Sequence, residues 1–192
     1  MGPKTILQTV GVLLVLGLAT GPASGGAQVV GGPSPAADPA DVESVDAIVA
    51  AVYDVISGPA GQARAWDRWR SLFIPEARLI SVGQSQEGII QRRVMTPEDY
   101  AQRSGPVLEE MGFFEEEIGR TQEEFGPVVH LFSAYQSKRA LGDPEPFARG
   151  INSFQLMHDG TRWWIVTIYW TSERPDLPIP QRYITGGSPS TR

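Results

Sequence analysis

Cysteine is absent from this chain, which removes a disulfide framework, a thiolate nucleophile and a lipid-modified cysteine together. The fold must therefore be held by its core alone. Histidine is nearly as scarce, with 2 residues, and no metal-ligand spacing can be found, so neither a metal nor any other cofactor is expected. Gly-x-Ser-x-Gly and Gly-x-Gly-x-x-Gly are both missing, which leaves no nucleophile elbow and no glycine-rich phosphate loop. Basic residues are outnumbered, 16 Lys+Arg against 22 acids for a net charge of -6, and they form no block. A nucleic-acid partner recognised through phosphate neutralisation is excluded on that ground. The apolar run near the start, Ile6 to Ala19, is shorter than the roughly 20 residues a bilayer span needs. With Lys4 before it and Gly25-Gly26-Ala27 after it, it reads as a signal peptide over residues 1–27, so the expectation is an exported protein with no membrane attachment after cleavage. An uncleaved anchor is the other reading of the same run.

What is abundant is apolar and aromatic surface near the end. Ile151 to Trp170 reads INSFQLMHDGTRWWIVTIYW, two apolar runs around Asp159-Gly160, a pair suited to the positive φ angles of a tight hairpin. Nearly every residue from Trp163 to Trp170 is large and apolar, so both faces of that strand need cover.

The cover comes from earlier in the chain. A helix is expected from Asp38 or Asp41, with Val42, Val45, Ile48, Val49, Val52, Tyr53 and Ile56 on one stripe and Gly58-Pro59 as its end. A second helix, Gln62 to Phe73, carries Trp66, Trp69, Leu72 and Phe73 and stops at Pro75. Ala77–Val82 and Ile89–Met95 form a small hairpin, and Thr96-Pro97-Glu98-Asp99 opens a third helix that reaches Met111. Phe113–Phe125, Val128–Ser137 and Phe147–Met157 are then strands, and Pro175, Pro178 and Pro180 keep Asp176 to Tyr183 extended. Three helices followed by consecutive strands predict an α+β fold, a curved antiparallel sheet wrapped around the helices as a cone with a central pocket. The domain spans residues 41–184, after a flexible linker over 28–40 and before a disordered tail over 185–192.

Two N-terminal helices, Leu72-Phe73-Ile74-Pro75-Glu76-Ala77 leading into the first strand, and a last hairpin with Gly160-Thr161-Arg162-Trp163-Trp164-Ile165 resemble the nuclear transport factor 2-like superfamily, in its SnoaL-like or ketosteroid-isomerase-like branch. The resemblance implies a cone pocket for a small, largely apolar molecule and a homodimer through the outer sheet face. Steroid isomerases of this fold place a carboxylate base in the strand after the second helix. Here Ala77-Arg78-Leu79-Ile80-Ser81-Val82 holds no acid, so steroid isomerase activity is not expected.

His130, set among Val128, Val129, Leu131 and Phe132, is the candidate acid or base, against the plainer reading of a structural histidine. Tyr53, Tyr135 and Asn152 are candidates to orient a substrate, and Trp69, Phe73 and Trp170 to form pocket wall. Asn152 points to the opposite face from Ser153 and Gln155 by strand alternation. The acids Glu115, Glu116 and Glu117 read as a solvated strand face. Function is then a ligand-binding cone, with a His130-dependent isomerase, cyclase or hydrolase and a structural dimerisation module as alternatives.

Overall fold

The computed structural model describes residues 34–85 and 87–184; the expected signal peptide, most of the linker and the tail lie outside the described residues. The first expected helix is two. Helix α1, Pro39–Val42, is capped by Asp38, whose side chain accepts the Ala40 N–H at 3.0 Å. Ser44 then turns extended and caps α2, Val45–Ile56, by accepting the Ala47 N–H at 3.0 Å. The second expected helix is shorter than its periodicity suggests: α3 covers Trp66–Ser71, and Phe73 already belongs to strand β1, Phe73–Gln84. Proline at 75 cannot donate to a ladder, and the register with the neighbouring strand shifts between Phe73 and Arg78, around it.

Strand β2, Ile90–Met95, follows, then α4, Pro97–Met111, which opens with a reciprocal cap between Thr96 and Asp99 and carries Pro106 inside it. Strands β3 (Phe114–Phe125), β4 (Val128–Lys138), β5 (Ala148–His158) and β6 (Trp163–Ser172) complete one sheet of order β2-β1-β6-β5-β4-β3. The expectation of a wholly antiparallel sheet needs correction at one seam. Strands β1 and β6 run parallel, because the chain between them carries α4 and four strands and is long enough for a crossover.

The concave face closes on α2 and α3. Ile48, Trp69, Phe73, Leu131, Phe154 and Ile165 are each at most 1% exposed and form the centre of the core. Arg64 locks the narrow end. Its Nε donates to the Ile56 carbonyl at 3.0 Å, and its Nη2 donates to Gly58 at 2.7 Å and Leu108 at 3.1 Å. The last carbonyl of α2, one from the turn after it and one from α4 thus share a single guanidinium in place of water.

The outer face is partly covered by the chain itself. After β6, the segment from Pro175 to Ile184 passes back over β5, β4 and β3. Glu173 accepts the Ile179 N–H at 2.8 Å, and Tyr183, in a final 3-10 turn (Gln181–Tyr183), stacks on Phe132 with ring centres 5.5 Å apart. The strap lies so close to Gly119 that a Cβ there would come within 2.5 Å of the Tyr183 carbonyl and closer still to that of Ile184. Gly119→Val should therefore unseat the strap while sparing the core, costing about 1–3 kcal/mol, as overpacking does. Hydrogen exchange would show it as lost protection at Tyr183 and Ile184 with β4 and β5 unchanged; equal protection in the variant would mean that the close approach is not restrictive.

Candidate functional site

Strand alternation sets which side chains meet inside the cone. In β4, Leu131, Ser133, Tyr135 and Ser137 share the concave face, and in β5 Asn152 and Phe154 do. Their partners in β3 are Glu115, opposite Ser137, and Glu117, opposite Tyr135. Helix α2 contributes Tyr53 from above.

These groups form one chain of hydrogen bonds with fixed direction. The Ser133 hydroxyl donates to Glu117 at 2.6 Å, so its oxygen takes the proton of Tyr53, 2.6 Å away. The Asn152 amide donates in turn to the Tyr53 oxygen at 3.1 Å and reaches Glu115 Oε1 at 3.4 Å. The Ser137 hydroxyl donates to Glu115 Oε2 at 2.8 Å. Tyr135 meets Ser172 at 3.4 Å. Glu117 is further held by Arg120, which also binds Asp46 on α2. One end of the network is thus tied to arginine, and the other ends at a carboxyl with no basic partner among the described residues.

That second carboxyl is the electrostatic centre of the site. Burial raises Glu115 from the usual carboxylate range to about 7, outweighing the hydrogen bonds from Ser137 and Asn152. Burial also raises the Tyr53, Tyr100 and Tyr135 hydroxyls, and the charge of Glu115 adds to the effect at all three. All three phenols therefore stay protonated as donors. Tyr53, Ser133, Tyr135, Ser137 and Asn152 are buried against one another, whereas Glu115 and Tyr100 are only half-buried. The Tyr100 hydroxyl donates to no group among the described residues.

Tyr100 also belongs to an aromatic column. Its ring stacks on Trp69 at 5.0 Å and meets Trp170 edge-on at 6.4 Å, and Trp69 packs on Phe73 at 4.5 Å. Trp69 and Phe73, each 1% exposed, stand behind this wall in the core, while Trp170 is half-buried at its front. The structure brings Tyr53, Tyr135, Asn152 and Trp170 to one side of the sheet.

His130 is not with them. It faces outward, its Nε2 3.1 Å from the Ser153 hydroxyl and its ring beside Phe132, so it cannot serve the cone interior as acid or base. The correction follows from β-parity: His130 pairs with Gln155 and lies one residue out of step with Leu131 and Val129, which are fully buried. The reading of residues 115–117 as one solvated face is likewise corrected. Glu116 is exposed, but Glu115 and Glu117 turn inward. Glu115, Glu117, Tyr100, Ser133 and Ser137 are the site members that sequence reasoning missed. The available signal was alternation within β3 set against its pairing with the polar positions of β4.

The fold defined by this sheet order and these helices is α+β, a six-stranded mixed sheet with its helices against one face. No family model matches the chain, and no curated protein matches it in sequence. Among solved structures, it is similar to a protein of unknown function with a cystatin-like fold from Nostoc punctiforme, with 12% identity, a TM-score of 0.50, and coverage of 71% of this chain and 92% of that one. It is also similar to a nuclear transport factor 2-like protein of unknown function from Silicibacter pomeroyi, with 13% identity, a TM-score of 0.43, and coverage of 68% and 94%. Identities this low show the fold alone.

Proposed function

We propose that the domain binds a small, largely apolar molecule carrying a carbonyl or hydroxyl group at the half-buried end of the cone network. The observation that carries this is Glu115, a carboxyl with no basic partner among the described residues, whose charge acts on the Tyr100 hydroxyl, itself without a hydrogen-bond partner among those residues, beside an aromatic wall. In its neutral form Glu115 donates a hydrogen bond to the ligand oxygen, and Tyr100 supplies a second donor. Trp170 gives the apolar body a surface. The same proposal, taken with the leader expected over residues 1–27, has the domain act outside the cytoplasm. A proton-transfer reaction at the same place is the second reading, with Glu115 in the role first considered for His130. A carboxyl with a pKa of about 7 is matched to such work near neutral pH.

A thermal-shift and calorimetric screen with apolar ketones tests the binding. Affinity should fall as pH rises through 7, because only the neutral carboxyl donates. Glu115→Leu should weaken binding by about tenfold or more, as loss of a buried donor does. Glu115→Gln keeps an N–H donor, and should retain binding while removing its pH dependence. Unchanged affinity in Glu115→Leu, or no ketone that raises the melting temperature, would reject the proposal.

A further inference from the structure

We infer that the protein has a second binding site, on the outer side of the sheet, for a small organic carboxylate with an apolar body. A hollow of about 410 Å³ opens where β5 and β6 meet the start of the strap, lined by Phe147, Arg149, Arg174 and the prolines 146, 175 and 178. Its two cations are used very differently. Arg174 spends its guanidinium on Asp176, with Nε at 3.1 Å from one carboxylate oxygen and Nη2 at 3.3 Å from the other. The Arg149 side chain donates no hydrogen bond to any described residue. Its Nη1 stands 3.4 Å from Glu173, and its Nε is buried with no acceptor at all.

A buried N–H without a partner is rare, and the missing acceptor is one the described residues do not supply. Glu173 cannot supply it, because its Oε1 is held by the Ile179 N–H at 2.8 Å and its Oε2 faces Nη1. A carboxylate entering from the hollow meets Nη2 first, since Nη1 faces Glu173, and takes Nε with a small turn of the side chain. It then forms the two-point contact for which guanidinium is shaped. Glu173 remains on the backbone amide, so its charge sets a modest affinity. The rest of the hollow is apolar. Phe147 is 41% exposed, with Arg139 5.6 Å above its ring, and the prolines offer flat, rigid surface to an aryl or alkyl group.

The test is an NMR titration of the full chain with phenylacetate, its neutral analogue phenylacetamide, and inorganic phosphate. Phenylacetate should shift the amides of Phe147, Arg149 and Glu173 saturably, and phenylacetamide should bind about tenfold or more weakly, the share of a charge-assisted pair. Arg149→Gln should remove phenylacetate binding, and Arg149→Lys, which keeps the charge but not the fork, should restore part of it. Glu115→Leu should leave it intact, so failure of the cone site and failure of this one are separable. Equal binding of phenylacetamide to the unaltered chain would overturn the proposal even if Arg149→Gln folds poorly. Phosphate binding as tight as phenylacetate would overturn the apolar part of the assignment, and absence of saturable shifts would overturn all of it.

Discussion

Trp69→Ala is expected to destabilise the domain by about 4 kcal/mol, the largest single-residue effect anticipated here. Trp69 is 1% exposed, lies against Phe73 at 4.5 Å and Tyr100 at 5.0 Å, and donates its indole N–H to the Pro97 carbonyl at 3.0 Å. The substitution opens a cavity between three elements, since α3 carries Trp69, α4 carries Tyr100 and β1 carries Phe73. It also removes a second hydrogen bond from the Pro97 carbonyl, which the helix ladder already engages. Trp69→Phe keeps most of the ring contact and loses the hydrogen bond, so it should cost about 1–2 kcal/mol. Urea denaturation of both variants checks the ranking. A cost below about 1 kcal/mol for the alanine variant would show that the column is not what fastens α4 to the sheet.

The second large effect depends on pH and belongs to Glu115. Its carboxyl titrates near 4.5 when unfolded and at about 7 when folded. Between those values the folded chain binds a proton that the unfolded chain has already released, so stability falls as pH rises. The contribution is fully present below 4.5 and is lost by the time pH passes 7. A gap of that size corresponds to about 3 kcal/mol between the two ends of the window. The sign is opposite to that of Asp41 and Asp99, whose carboxyls are held below their usual range by Arg68 and by the Thr96 cap and which lose stability only in stronger acid. Urea midpoints at pH 5 and pH 7.5 for the unaltered chain and Glu115→Gln isolate the effect: the first should drop across the window and the second should stay level. Parallel behaviour would mean that Glu115 is hydrated and titrates as an ordinary carboxyl.

Much of the architecture was legible because it rests on local chemistry. Thr96-Pro97-Glu98-Asp99 starts α4 where the capping pattern places it, and Asp159-Gly160 turns the last hairpin. What could not be read locally was which strands are neighbours. The parallel seam between β1 and β6 joins residues about ninety positions apart, and no turn signal encodes it. The same limit hid the candidate site. Glu115 sits in a run of acids that resembles any solvated face, and it becomes an inward-facing, half-buried carboxyl only because Ser137 and Asn152 lie beside it across two strand pairings. His130 fails for the mirror reason. Its apolar neighbours in sequence suggested burial, but alternation put it on the other side from Leu131.

The strap over Gly119 has a consequence for association. Tyr183 on Phe132 is a ligand attached to its own receptor through the short run that follows β6. Tethering of that length gives an effective concentration on the order of millimolar. A second copy of the chain offering equivalent contacts at β3 and β4 would be outcompeted at any ordinary protein concentration. Proteolytic trimming after Pro175 would remove the competitor, and self-association of the trimmed chain would rise steeply with concentration where that of the intact chain does not.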